Sequence, residues 1–258
     1  MKYALQLYTL RDAAAKDLPG TLKKVREIGW EYVQWSGMPE KSAEECRAAL
    51  DAAGLKCVAG HISVEAFEQD YAKELAFWQT LGATDIAPGG MMKDCQDSLE
   101  AWLGGARRLD ALGAKLKLSG IRLSYHNHAH ELEKFADDPR TKLDILYAAT
   151  SPDHLCAEFD LAWLQVGGAN PAEYIRKYPK RCPVVHAKDT AQKKKLFGGV
   201  VFCALGAGLL DWPAIFAAGK ESGIEWYIYE QDSTAGDIWQ DAATSYAFLK
   251  KNLDTPAA

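Results

Sequence analysis

Three histidines and two glutamates lie close together in the middle of the sequence, directly after a short apolar run. His126, His128 and His130 alternate with asparagine and alanine, and Glu131 and Glu133 follow at once. Imidazoles and carboxylates are the ligands that divalent transition metals prefer, and they also transfer protons near neutral pH. The stretch therefore indicates a metal site, an acid–base site or both.

Three later segments end in groups of the same kind. Each begins with apolar residues typical of a buried strand, and the ends carry Asp160, then His186 and Lys188, and finally Glu230. The carboxyl ends of parallel strands meet at one face of a barrel. We therefore predict that Asp160, His186 and Glu230 bind one divalent metal ion. Oxygen-rich ligation favours Mn²⁺, although Mg²⁺, Co²⁺ and Zn²⁺ also suit these ligands.

The fourth ligand has two candidates, Glu131 and His126, of which we favour Glu131. Each of the other three ligands also has a structural alternative. Asp160 suits the cap of the following loop, His186 a hydrogen-bonded core histidine, and Glu230 an ion pair with a lysine. The polar residues that follow His186 argue for the rim of a site and favour ligation.

Local signals divide the chain into strands and helices. Asn170 directly precedes a proline, and Asp17 and Asp211 each precede one by two positions. These spacings are typical of an N-cap residue followed by proline in the first turn of a helix. Ser42 is followed three residues later by Glu45, which is a capping-box spacing. One further helix is expected over residues 64–81.

About eight strand–helix units follow one another without a linker or low-complexity segment. Such alternation predicts a parallel sheet, and eight units in a chain of this length match a closed (β/α)8 TIM barrel. We predict one α/β domain over residues 1–258. A doubly wound open sheet is the alternative, but no GxGxxG motif follows the first strand.

The barrel rule also selects the other site residues, because catalytic groups lie at the carboxyl ends of the strands. His128 and Lys188 are predicted to assist proton transfer or to bind hydroxyl groups. Four further residues at or near strand ends are predicted to bind substrate: Gln6, His61, His126 and Trp163.

Composition limits the partners. The net charge of −5 gives no broad attraction for nucleic acid or an anionic membrane. The basic run Lys193-Lys194-Lys195 is interpreted as a solvated loop. Six cysteines without a CxxC pair, and a strand-like N-terminus in place of an apolar signal segment, predict a reduced, cytoplasmic protein. The oligomeric state is open, and a homo-oligomer is one of the alternatives.

Five ordered motifs resemble the xylose-isomerase-like barrel family, whose members are usually described as sugar phosphate isomerases or epimerases. The resemblance extends over nearly the whole chain, and it implies a (β/α)8 barrel with a divalent metal on Asp160, His186 and Glu230. The motifs are Tyr-His-Asn-His-Ala-His-Glu at 125–131, Asp-Leu-Ala-Trp at 160–163, Val-His-Ala-Lys-Asp at 185–189, Gly-Ala-Gly-Leu-Leu-Asp-Trp at 206–212 and Tyr-Glu-Gln-Asp at 229–232.

One position departs from the family pattern. Sugar epimerases of this family use a glutamate of the fifth strand as both ligand and base, whereas the corresponding position here holds His126, with Glu131 a few residues on. This difference argues against a mechanism with two glutamates. The Tyr-His-Asn-His variant is similar to branches near inosose dehydratase and enzymes that act on 3-keto sugars.

Two enzyme hypotheses follow. The first is a metal-dependent sugar isomerase or epimerase, in which Glu230 or Glu131 removes a proton alpha to a carbonyl and an enediolate forms. The alternative is a metal-dependent lyase or dehydratase on a 3-keto sugar, keto-glycoside or keto-inositol, with a histidine such as His128 as the acid. A repair endonuclease conflicts with the negative charge, and a non-catalytic sugar-binding module leaves the aligned ligands unexplained.

Overall fold

The computed structural model describes residues 1–191 and 199–254, and its centre is a closed barrel of eight parallel strands. The barrel confirms the predicted fold class. The strands pair in the order β1-β10-β7-β6-β5-β4-β3-β2, while β8 and β9 form a small antiparallel pair outside the barrel. They are β1 Lys2–Gln6, β2 Tyr32–Trp35, β3 Lys56–Ile62, β4 Asp85–Pro88, β5 Arg122–His126, β6 Cys156–Asp160, β7 Val184–Ala187, β8 Asp189–Thr190, β9 Phe202–Cys203 and β10 Trp226–Tyr229.

Helices surround the barrel and bury their apolar faces against it. They are α1 Arg11–Ala14, α2 Leu18–Ile28, α3 Ala43–Ala53, α4 Val64–Gln69, α5 Tyr71–Leu81, α6 Leu99–Leu118, α7 Lys142–Ala148, α8 Leu161–Val166, α9 Pro171–Lys177, α10 Trp212–Ser222 and α11 Ile238–Leu253. None of the helices within the described residues is long and apolar enough to cross a membrane. The lysine run at 193–195 lies outside the described residues.

The side chains of Asp17, Asn170 and Asp211 each accept a hydrogen bond from the first turn of a helix, and Ser42 and Glu45 form the predicted capping box. These hydrogen bonds confirm the predictions. Capping could be predicted from the sequence because it depends only on residues within one turn.

The prediction of a single helix over residues 64–81 is wrong, because this segment forms two helices, α4 and α5, which are separated at Asp70. The backbone of Asp70 is extended, and its carboxylate accepts the N–H of Lys73, so that this residue ends one helix and caps the next. An aspartate inside a helical pattern competes for backbone donors in this way.

The inner face of the barrel changes character along its axis. Ala4, Ala59, Val184, Trp226 and Ile228 pack together as a small apolar cluster. Side chains two positions further along a strand point to the same face. The inner face that begins with these residues therefore continues toward the carboxyl ends with polar side chains, and the polar layer lies directly above an apolar floor.

One loop at this end is organised by Asp189, which is fully buried. Its carboxylate accepts the backbone N–H groups of Gly206, Gly208 and Leu210 and the indole N–H of Trp212. A Cβ on Gly208 would overlap the Asp189 carboxylate. The glycine motif therefore serves this loop, and its N–H groups are taken by a protein carboxylate.

Candidate active site

The polar layer gathers side chains from six of the barrel strands or the residues that directly follow them. It brings together six of the ten residues that the sequence singled out as ligands, bases or substrate contacts, and it adds three others. The gathered residues are Gln34, His61, His126, Glu158, Asp160, His186, Lys188, Glu230 and Asp232.

Glu158 is the fully buried centre of the deeper half of this layer. Its Oε1 accepts a hydrogen bond from His61 Nε2 at 2.8 Å and lies 3.0 Å from His186 Nε2, and its Oε2 accepts the amide of Gln34 at 3.0 Å. Sequence reasoning gave Glu158 no role. The available signal was its position two residues before Asp160 on one strand, which puts both carboxylates on the inner face.

His186 lies between two carboxylates. Its Nε2–H donates to Gln34 Oε1 at 2.7 Å, and its Nδ1–H donates to Glu230 Oε2 at 2.8 Å. Burial by itself would lower the pKa of His186, but Glu158 and Glu230 raise it to about 10. Burial likewise opposes ionisation of Glu158, yet His186 and His61 hold its pKa at about 2. The ring is therefore an imidazolium in this arrangement.

Lys188 is fully buried among three carboxylates. Its Nζ lies 2.8 Å from Asp160 Oδ2, 2.7 Å from Glu230 Oε2 and 3.0 Å from Asp232 Oδ1. These carboxylates overcome the effect of burial and raise the pKa of Lys188. Burial would raise the pKa of Glu230, but Lys188 and His186 hold it well below its ordinary value. For Asp160, burial prevails over Lys188 and raises the pKa to about 6.

The layer has the composition of a divalent metal site. Ligand atoms of His126, Asp160, His186 and Glu230 all lie within 4.8 Å of one another. His126 Nδ1 is buried without a hydrogen-bond partner among the residues that the structure describes. The four carboxylates of Glu158, Asp160, Glu230 and Asp232 outnumber the cations His186 and Lys188 that contact them. Three of these carboxylates are buried and Asp232 is partly exposed, and an excess of negative charge of this kind fits a dication.

Glu131 lies apart from this set. Its carboxylate accepts the hydroxyl of Tyr125 at 2.8 Å and the backbone N–H of His128 at 2.9 Å, and it is 3.2 Å from His130 Nε2. The short turn His130–Leu132 directs it back toward its own strand. The structure therefore groups Glu131 with His128 and His130, whereas His126, the other candidate for the fourth ligand, lies with Asp160, His186 and Glu230.

His128 has a different environment from the other histidines of the site. Its imidazole has no hydrogen-bond partner in the described part of the chain, and it packs edge-on against His126 at 4.9 Å and Trp163 at 5.5 Å between ring centroids. Burial, together with the nearby charge of Lys188, lowers the pKa of His128 to about 3. The ring is therefore a neutral imidazole near pH 7, with a nitrogen lone pair that no described residue engages.

A central cleft of about 420 Å³ opens above the polar layer. Gln6 is fully buried at the end of β1, and its Oε1 accepts the N–H of Tyr8 at 3.4 Å. Tyr8 lines the cleft, whereas Gln6 is not among the lining residues. Its role in binding substrate stays a prediction. The lining residues are Tyr8, Ser36, His61, Gly89, His126, His128, Glu230 and Asp232.

Comparison with known proteins agrees with this geometry. Residues 22–252 match the family described as Xylose isomerase-like TIM barrel. The chain belongs to that family. An inosose dehydratase from Clostridium perfringens (strain 13 / Type A) is 27% identical over 170 residues, which are 60% of this chain and 56% of that protein. The match thus spans little more than half the length of this relative.

Solved structures show the same fold. A sugar phosphate isomerase/epimerase from Parabacteroides distasonis ATCC 8503 superposes with a TM-score of 0.81 at 20% identity, over 96% of this chain and 93% of that one. An L-ribulose 3-epimerase superposes with a TM-score of 0.74 at 17% identity, over 98% of this chain and 95% of that one. Proteins similar to this chain in sequence or in fold thus include a dehydratase and epimerases.

Proposed function

We propose that this barrel is a divalent-metal-dependent lyase of the dehydratase type, acting on a polyhydroxylated cyclic ketone such as a keto sugar or keto-inositol. The observation that carries the proposal is His128, a neutral imidazole without a hydrogen-bond partner in the described chain, at the edge of the central cleft. The similarity to inosose dehydratases supports the same reaction class.

The other candidate bases are less suited to removing a proton. Glu230 is held by His186 at 2.8 Å and by Lys188 at 2.7 Å, and it is also one of the four residues grouped as metal ligands. Both oxygens of Glu131 are engaged, one by Tyr125 and one by the N–H of His128. We therefore assign the base to His128, where the sequence had suggested a glutamate.

One residue then serves both halves of an elimination. His128 takes the proton from the carbon next to the carbonyl, and the C–H electron pair forms the carbon–carbon double bond. The bond from the neighbouring carbon to oxygen breaks, and its electron pair leaves with that oxygen. The imidazolium formed in the first half returns its proton to the departing oxygen, so no external acid or oxidant is needed.

His126, Asp160, His186 and Glu230 are the residues that would hold the metal, and His186 would lose its imidazolium proton in doing so. When bound, a divalent ion supplies Lewis-acid polarisation of the carbonyl, which lowers the pKa of the adjacent C–H group. Lys188 keeps Asp160 and Glu230 in place by contacts of 2.8 and 2.7 Å. Tyr8 and Asp232 line the cleft, and a hydroxyl and a carboxylate are groups that bind sugar hydroxyls.

An isomerase or epimerase would share the first proton removal but would return the proton to carbon. The test is incubation of the metal-loaded protein in D₂O with a keto-inositol and with methyl 3-keto-β-D-glucoside. Elimination produces an unsaturated ketone, seen by ultraviolet absorbance and NMR. Recovery of an intact skeleton that carries deuterium would contradict the lyase and support the isomerase.

The His128→Ala variant tests the assigned base. Loss of a positioned acid–base group lowers kcat by about 10²–10⁴-fold. His154→Ala is the matched control, because His154 pairs with Asp110 at 3.0 Å at the opposite end of the barrel. An equal loss of kcat in both variants, or full activity of His128→Ala, would contradict the assignment of His128 as the base.

A further inference from the structure

A second cleft, the side cleft, opens next to the central one and shares His128 with it. It has a volume of about 500 Å³ and is bounded by residues of the loop after β5 and of α8. The central cleft is bounded by the strand ends and measures about 420 Å³. A molecule that extends from one cleft into the other along this shared wall would contact His128.

The side cleft is mainly apolar. Leu132, Trp163 and Val166 supply its apolar wall, and His130 and Glu133 lie at its polar edge. Gly167 lets its backbone approach Leu132 closely, because a Cβ at this position would come within 2.9 Å of Leu132 Cγ. Clefts of this size, lined mainly by apolar and aromatic side chains with a few polar groups, are typical binding sites for small molecules.

Trp163 suits an aromatic ligand in particular. Its ring packs edge-on against His128 at 5.5 Å and against Phe202 at 5.4 Å, and Lys188 Nζ lies 5.8 Å from the ring centroid. Its indole N–H is buried and has no hydrogen-bond partner among the described residues. Buried indole N–H groups usually have such a partner, and aromatic pairs favour offset or edge-on contacts.

We propose that the side cleft binds the leaving group of the substrate, and that this group is an aromatic ring joined through oxygen to the carbon beta to the carbonyl. The inference rests on the lyase proposed above and names its substrate class as aryl ethers or aryl glycosides of a keto sugar. The keto ring lies in the central cleft, the aryl ring lies against Trp163 and Val166, and the bond that breaks lies beside His128.

The step balances without a further reactant. His128 takes the proton alpha to the carbonyl, and the C–H electron pair becomes the new double bond. The bond from the beta carbon to the aryl oxygen breaks, and both its electrons go to that oxygen. The oxygen then receives the proton from His128, so the products are an unsaturated keto sugar and a phenol.

The experiment compares two substrates with the same keto ring, phenyl 3-keto-β-D-glucoside and methyl 3-keto-β-D-glucoside. Val166→Phe fills the side cleft, and Ala72→Phe on an exposed face of α5 is the matched control. We expect Val166→Phe to lower the ratio of kcat/KM for the phenyl over the methyl substrate by about tenfold or more, because one or two carbon atoms in an apolar pocket discriminate by such factors. The phenyl and methyl substrates differ in leaving-group chemistry equally in every variant, so a change in this ratio between variant and parent reports on the cleft. Ala72→Phe should leave the ratio at its parent value.

Each outcome separates the side cleft from the lyase. Turnover with an unchanged phenyl-to-methyl ratio in Val166→Phe overturns the side-cleft assignment and leaves the lyase standing. Turnover of neither substrate overturns the lyase, and the cleft is then tested with phenyl β-D-glucopyranoside by saturation-transfer NMR. Saturation of the phenyl protons that is lost in Val166→Phe supports the cleft. No saturation in the parent protein, or stronger transfer to the second ring of cellobiose, overturns it.

Discussion

Replacing Glu158 by glutamine tests the hydrogen-bond network beneath the site. The volume of the side chain is kept, but its amide has one acceptor oxygen where the carboxylate has two. In the parent protein, the amide nitrogen of Gln34 lies 3.0 Å from Glu158 Oε2. If the amide oxygen of the variant takes the place of Oε1 beside His61 and His186, its NH₂ group takes the place of Oε2 and faces the NH₂ group of Gln34. One buried donor is then left without an acceptor, and the His186 imidazolium loses a carboxylate.

The two losses set the magnitude. A buried donor without an acceptor costs about 1–3 kcal/mol, and removal of one partner from a buried ion pair costs about 3–5 kcal/mol. The effects concern one network and do not add fully. We expect Glu158→Gln to lower the free energy of unfolding by about 3–5 kcal/mol, measured by urea denaturation in EDTA with the slope unchanged. Glu133→Gln is the control, because Glu133 pairs with Lys142 at the surface.

A second substitution in the same network sharpens the test. Gln34 Oε1 already accepts His186 Nε2–H at 2.7 Å, so Gln34→Glu places a carboxylate beside the imidazolium. In the Glu158→Gln background the new amide can donate to that carboxylate, and we expect about 2 kcal/mol of the loss to return as coupling energy. Unfolding free energies of Glu158→Gln and the parent within about 1 kcal/mol, or a double variant as unstable as the sum of the single ones, would refute the account of this network.

Three further predictions concern the ligands, the loop and the pH dependence. Asp160→Asn and Glu230→Gln should each lose the bound divalent ion in elemental analysis, and full metal content in both would contradict the ligand set. Asp189→Ala leaves several buried N–H groups unpaired, so urea unfolding should show a loss of about 2 kcal/mol or more. Burial raises the pKa of Asp144, but Lys177 and two tyrosines outweigh it and lower the pKa below 3.8. The ionised group therefore stabilises the fold above about pH 4 and loses this effect in acid, and Asp144→Asn should show a flatter acid limb in unfolding free energy against pH.

The sequence by itself determined the barrel and the strand ends that form its active face. Helix caps such as Ser42 with Glu45 act within one turn, and the alternation of strand and helix leaves few topologies other than a barrel. The period of two along a strand also indicates that Asp160, His186 and Glu230 point inward at the same end. These features are local, so reading residue types and spacing was sufficient.

Only the tertiary structure decided which acidic groups come together at this end of the barrel. Glu158 lies on a strand with its side chain expected on the inner face, and Glu131 follows a strand, but neither pattern shows which carboxylate reaches the histidines. Closure of the barrel brings Glu158 to within 2.8 Å of His61, which is 97 residues away in the chain, whereas a tight turn directs Glu131 toward Tyr125. The neutral state of His128 likewise arises from burial by distant parts of the chain. Such properties depend on contacts across the barrel, and local sequence patterns carry no information about them.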